Sequence, residues 1–149
     1  MKKALFLIIL LVETIGISSF SACDSDEIVD DMCTKLKIIV GNKVFHAVME
    51  ENPTTTAFVK MLPLSLNMKD LNANEKFFLL FQALPTQASV PASIREGDLM
   101  LYGNNTLVLF YKSFKTTYSY TPMGFISASD GLEAALGGGN SEVKFEVEK

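Results

Sequence analysis

Leu36-Lys37-Ile38-Ile39-Val40-Gly41-Asn42-Lys43-Val44-Phe45-His46-Ala47-Val48-Met49 is the stretch on which the fold class turns. Leu36, Ile38 and Val40 alternate with polar or mixed positions, the two-residue period of a strand with one buried face. Gly41-Asn42 supplies a two-residue turn of the kind that joins antiparallel strands. The return strand puts Phe45, Ala47 and Met49 on one face and Val44, His46 and Val48 on the other. The folded part therefore begins with a hairpin.

The pattern continues downstream. Asn52-Pro53 is an N-cap followed by Pro at the first helical position. The helix so started runs through Ala57, Phe58, Met61 and Leu62 until Pro63 stops it. Leu64, Leu66 and Met68 alternate again, and Asn72-Ala73-Asn74 turns the chain into a strand over residues 77–81. Residues 83–97, with Pro85 and Pro91, read as an extended surface loop. Two apolar β-rich runs, 99–102 and 106–111, are split by Gly103-Asn104-Asn105, a second hairpin signature. Short strands are expected at 118–120 and 125–126. Asp130 and Glu133 have capping-box spacing ahead of a helix over 132–136, which ends at Gly137-Gly138-Gly139. Val143, Phe145 and Val147 close the chain with an alternating strand, expected to pair with the strand of Phe45. Eight or so short strands with two helices predict a barrel.

Upstream of the hairpin the residues have another purpose. The chain has 149 residues and a formal net charge of −4. Met1-Lys2-Lys3 is positive, residues 4–12 are all apolar, and Glu13 interrupts them. A spanning helix needs about 20 predominantly apolar residues, so this run has the length of a signal-peptide core. It closes on Phe20-Ser21-Ala22-Cys23, which resembles the lipobox of bacterial lipoproteins. That likeness implies lipid on Cys23 and attachment to a membrane of the bacterial cell envelope, at the outer membrane or periplasmic face. An ordinary secretory signal with a chance Cys is the alternative. Asp24, Asp26, Glu27, Asp30 and Asp31 follow, an acidic stretch that reads as a solvated tether. It resembles the acidic export signals behind the lipidated Cys of some surface lipoproteins, and a plain spacer has the same composition. The organisation is a leader over 1–22, a tether over 23–34 and one domain over 35–149. With lipid on Cys23, Cys33 is left alone, without an intramolecular disulfide.

The domain's order of elements is similar to that of cyclophilins. Glu51-Asn52-Pro53-Thr54-Thr55-Thr56-Ala57-Phe58 after a hairpin resembles their first helix. Gly124-Phe125-Ile126, then Asp130-Gly131-Leu132-Glu133-Ala134-Ala135-Leu136 and a last strand, resembles their C-terminal part. The likeness extends to the small bacterial cyclophilin-like proteins through Gly97-Asp98-Leu99-Met100-Leu101-Tyr102-Gly103, Leu107-Val108-Leu109-Phe110-Tyr111 and Tyr118-Ser119-Tyr120-Thr121. It covers residues 36–147. What it implies is a mainly β fold, a closed antiparallel eight-stranded barrel with two short helices.

Cyclophilins isomerise X-Pro bonds, and the resemblance implies an Arg with Phe, Gln, Trp and His around a proline pocket. This chain has no Trp, and its one Arg, Arg95, stands beside Gly97-Asp98 and not after the first helix. Lys69 and Lys76 are the cations of that segment, and Lys lacks the planar guanidinium fork. Tyr120 takes the place of the family's His. A module that binds a small molecule or peptide without catalysis is the expected function, and a peptidyl-prolyl isomerase with a rearranged site is the alternative.

Other constellations are weak. His46 is the only His, and its strand parity puts it on the exposed face. One His and two Cys exclude a zinc site built from three or four such ligands. Without a Lys/Arg-dense stretch the acidic chain has no footprint for nucleic acid. Gly137-Gly138-Gly139 follows a helix, whereas a phosphate loop precedes one, so no cofactor is expected. Asn104-Asn105-Thr106 matches a glycosylation sequon but reads as a turn. All four tyrosines, Tyr102, Tyr111, Tyr118 and Tyr120, fall in one 19-residue window. They are candidate pocket residues; Phe110 between them is a core candidate. For Tyr118 and Tyr120 a pocket wall and a barrel core fit the pattern equally, since a buried hydroxyl needs a partner.

Overall fold

A computed structural model describes residues 33–149. The leader, Cys23 and the acidic residues of the tether lie outside the described residues. The opening hairpin consists of β1 (Lys35–Val40) and β2 (Lys43–Met49), with Gly41 at φ +59° in the turn. Along β2, Phe45, Ala47 and Met49 are buried while Val44 and His46 are exposed, the parity the alternation predicts. Helix α1 (Pro53–Val59) leads to β3 (Leu64–Leu71), β4 (Glu75–Leu79), β5 (Asp98–Tyr102), β6 (Thr106–Phe110) and β7 (Thr121–Ile126). Helix α2 (Leu132–Leu136) and β8 (Ser141–Val147) complete the domain. All pairings are antiparallel, and the sheet closes in the order β1-β2-β7-β5-β6-β4-β3-β8.

Closure removes every free sheet edge and gives each strand an inner and an outer side. Inside lie Leu36, Ile38, Ala47, Met49, Leu66, Met68, Leu99, Leu101, Leu107, Leu109, Val143 and Phe145, all fully or almost fully buried. Helix α1 joins the end of β2 to the start of β3 and plugs one mouth, where Phe58 meets Phe145 edge-on at 5.8 Å. Helix α2 joins β7 to β8 at the opposite mouth and buries Leu132 and Leu136. The Asn52 side chain caps α1 by accepting from Thr55 N–H, and its amide also donates to the Pro122 carbonyl at 2.8 Å. Gly124 lies where β7 crosses β2: a Cβ there would come within 2.5 Å of the Val48 carbonyl oxygen. Only glycine allows that approach.

Several boundaries differ from the sequence reading. Helix α1 stops at Val59, and Met61 and Leu62 form a tighter turn with N–H groups on the carbonyls of Phe58 and Val59. The residue before Pro63 avoids the helical region, so the helix ends early. Strand β4 begins at Glu75, two positions ahead of expectation, because Asn72 and Ala73 complete the turn with positive φ. Asp130 does not cap α2; Gly131 occupies the N-cap at φ +83° with no side-chain hydrogen bond. The capping box fails because its acceptor must sit on the cap residue itself. Residues 118–120 form no strand beyond a single bridge from Tyr120 to Ser89. The strands of Phe45 and Phe145 do not pair; they flank β1, with Ile38 opposite both phenylalanines. Cys33 is not free, a difference from the solitary thiol expected.

This packing predicts separable stabilities. Phe145→Ala, at a fully buried site, should cost about 3–5 kcal/mol. His46→Ala, at an exposed site whose ring lies 3.0 Å from a Glu148 oxygen, should stay within about 1 kcal/mol. Urea melts of the two variants check this, and similar losses would mean that the parity of β1, β2 and β8 has been assigned to the wrong sides.

Candidate functional site

The outer side of β4, β6 and β5 carries the site. In the register Glu75↔Phe110, Phe77↔Val108 and Leu79↔Thr106, alternate residues leave the barrel together. Lys76 and Phe78, with Leu107 and Leu109, turn inward. Met100 and Tyr102 join the outer set from β5. Two connections cross this face: residues 82–97 and 111–120, held to each other by the Ile94–Phe114 and Ser89–Tyr120 backbone bridges. Together they bury a second apolar cluster of Ile94, Met100, Val108, Phe110 and Tyr120, with Phe77 and Phe114 packed against it.

A cavity of about 880 Å³ opens over that cluster, in the range of small-molecule sites. Its wall includes Tyr102, Tyr118, Tyr120, Phe77 and Phe114. Tyr102 meets Tyr118 edge-on at 6.3 Å and Tyr120 at 5.6 Å, and Phe110 underlies Tyr120 at 5.5 Å. Tyr118 and Tyr102 are exposed, whereas Tyr120 is buried. Leu71 and Leu79, also exposed, complete an apolar rim. Core and pocket wall are thus one continuous aromatic layer at Tyr120.

Tyr111 is apart from the other three. It follows the last outward residue of β6, so its parity is inward, and its hydroxyl donates to Asp70 Oδ1 at 2.6 Å. The same oxygen accepts from Lys76 Nζ at 2.9 Å, and that ammonium also donates to the carbonyls of Gly137 and Gly139. Lys76 is completely buried and lies 5.4 Å from the centre of the Tyr111 ring. The glycines after α2 do end the helix, as expected, and their carbonyls additionally hold this lysine. Hydrogen bonds from Tyr111 and then Lys76 keep the Asp70 carboxyl below its ordinary range. Burial and the Asp70 contact push the Tyr111 hydroxyl well up.

Glu75 and Asn74 were not legible as site residues. Glu75 is 8% exposed and borders the cavity, yet its carboxyl makes no hydrogen bond or ion pair among the described residues. Burial first, and repulsion from Asp70 second, push it up to about 7. Beside it, Asn74 also lines the cavity, and its Oδ1 is buried without a partner. Only the true start of β4 puts Glu75 in phase with Phe77. Arg95 is exposed, 3.9 Å from Asp98 and outside the cavity wall, as is His46. Lys115 is the cation that borders the cavity. Among the described residues no three His, Cys, Asp or Glu side chains gather where an ion could sit.

The shift at Glu75 gives stability a direction with pH. Its folded value, about 7, exceeds the ordinary 4.5, so the folded state holds a proton that the unfolded chain has released between those values. Stability contributed at this position therefore falls as pH rises from about 4.5 through 7. Glu75→Gln should raise the urea midpoint at about pH 8 and change it little at about pH 4; an equal shift at both would show that the carboxyl is not desolvated.

A search of curated proteins found no match. Residues 38–148 match the Cyclophilin-like family, a span that begins in β1 and runs into the last residues after β8. With that match reaching all eight strands of the closed barrel, the chain belongs to the Cyclophilin-like family.

Proposed function

We propose that this protein is a ligand-binding module of the bacterial cell envelope, tethered by lipid on Cys23, whose site is the aromatic cavity over β4, β5 and β6. The carrying observation is that cavity, with the exposed Leu71, Leu79, Tyr102 and Tyr118 at its rim. Contiguous apolar side chains around a concave space mark binding surfaces on otherwise polar proteins. The ligand is a small molecule or a peptide side chain of comparable size.

Isomerase chemistry is the second reading, and the placement of the cations counts against it. Arg95 is off the cavity wall, and Lys76 is turned into the barrel with its donors engaged. Losing one preorganised donor at a transition state costs about 10²–10³-fold in rate. A proline-containing peptide should isomerise at its spontaneous rate, on the scale of about tens of seconds at 25 °C, with or without Arg95→Ala. Ligand retained through purification and identified by mass spectrometry should be lost in Tyr102→Ala and Tyr118→Ala and kept in His46→Ala. Retention in both tyrosine variants, or isomerisation that collapses with Arg95→Ala, would overturn the binding reading.

Anchoring has its own test. A sulfur in a lipid thioether cannot also form a disulfide, and the chain has only Cys23 and Cys33. The intact mass of membrane-extracted protein should show the acyl addition, and Cys23→Ala should abolish it and release the protein from the membrane fraction. A mass corresponding only to loss of two hydrogens would assign the sulfurs to a disulfide and remove the anchor.

A further inference from the structure

The cavity wall is chemically one-sided. Glu75 comes from β4, nine-tenths buried, with no partner for its carboxyl among the described residues. Asn74 Oδ1, the neighbouring acceptor, is buried and unpartnered as well. Buried polar atoms are nearly always satisfied, and Asn74 Oδ1 is the exception among the described residues. Around them stand the rings of Phe77, Tyr102 and Tyr120, whose faces carry partial negative charge. Acceptors and ring faces are complementary to one class of group.

We propose that the ligand carries an alkylammonium group that enters this cavity, pairs with the Glu75 carboxylate and rests against the aromatic wall. This rests on the cavity being the binding site. A cation within about 6 Å of aromatic ring centres gains cation–π attraction, more so when desolvated. The protein's own cations do not supply this partner. Lys76 is next in sequence but faces inward, bound to Asp70 and the two glycine carbonyls. Lys115 comes from the 111–120 connection and is exposed at the cavity border. An anionic ligand head would meet Glu75 directly, and an apolar one would leave its carboxyl without a partner.

The proton on Glu75 makes the recognition pH-dependent. Facing the carboxyl are Asp70 from β3, which raises it, and the tyrosine hydroxyls of Tyr120 and Tyr111, which feel its charge. Lys76 on β4 is engaged with Asp70, and Lys115 contributes a rim cation. A bound ammonium favours the ionised carboxylate, so binding displaces the proton and strengthens as pH rises through about 7.

The experiment follows Tyr and Phe ring signals by NMR in the full chain, held in detergent. Four probes of similar length are titrated: a free n-alkylammonium, N-acetyl-lysine N-methylamide, the matching neutral alcohol and the matching carboxylate. At about pH 8.5 both ammonium probes should bind about tenfold or more tightly than the alcohol, and at about pH 5.5 that preference should shrink severalfold. Glu75→Gln, with its urea midpoint as the check on folding, should bring the ammonium affinity down to that of the alcohol. The tighter of the two ammonium probes tells a free amine from a lysyl side chain. Equal binding of ammonium and alcohol, or a preference that survives Glu75→Gln, overturns the cationic ligand while leaving the cavity as a binding site. Ring signals that respond to no probe overturn both.

Discussion

Closing eight antiparallel strands into a barrel assigns each strand residue to one of two environments, with no edge at which the assignment could slip. On β4 the consequence is sharpest. Lys76 goes inward and Glu75 outward, although both are ionisable and adjacent. A shift by one residue would bury a carboxylate beside Asp70 and strip the α2 terminus of its cation. The site on the outside and the plug on the inside therefore depend on the same register.

The two neighbours meet opposite fates because their partners differ. Lys76 finds a carboxylate, two carbonyls at the end of α2 and the Tyr111 ring. Removing one partner of such a buried set is costly, since the remaining charge stays desolvated. The set also ties the segment after α2 to β3 and β4, where a five-residue helix could not hold itself. Glu75 finds nothing of the kind. A buried carboxyl without a partner is raised by desolvation, and such groups concentrate at functional sites.

The cavity itself is made by connections. Residues 82–97 and 111–120 have almost no regular structure, yet they pair with each other at Ile94–Phe114 and Ser89–Tyr120. Phe110 and Tyr120 lie beneath that pairing as a rigid aromatic floor, and Tyr102 and Tyr118 remain exposed beside it. A rigid barrel face with loops arched over it is a common way to combine a fixed floor with an adaptable rim.

Local pattern alone determined much of this protein. The alternation in Leu36–Ile38–Val40 and Phe45–Ala47–Met49, the Gly41-Asn42 turn and the Asn52-Pro53 cap are short-range signals, and each is realised where its residues stand. The barrel and the family were legible from the order of these elements. The tyrosine window marked the aromatic face, though spacing could not separate Tyr111 from the other three. The inward turn of Tyr111 follows from its position one past Phe110 and from an acceptor 41 residues away, Asp70. The partners of Lys76 lie 61 and 63 residues distant, and the unpartnered state of Glu75 exists only once the loops have closed over it. Burial and long-range partners are properties of the closed barrel, so the site's chemistry was decided by tertiary structure, and the strands that carry it by sequence.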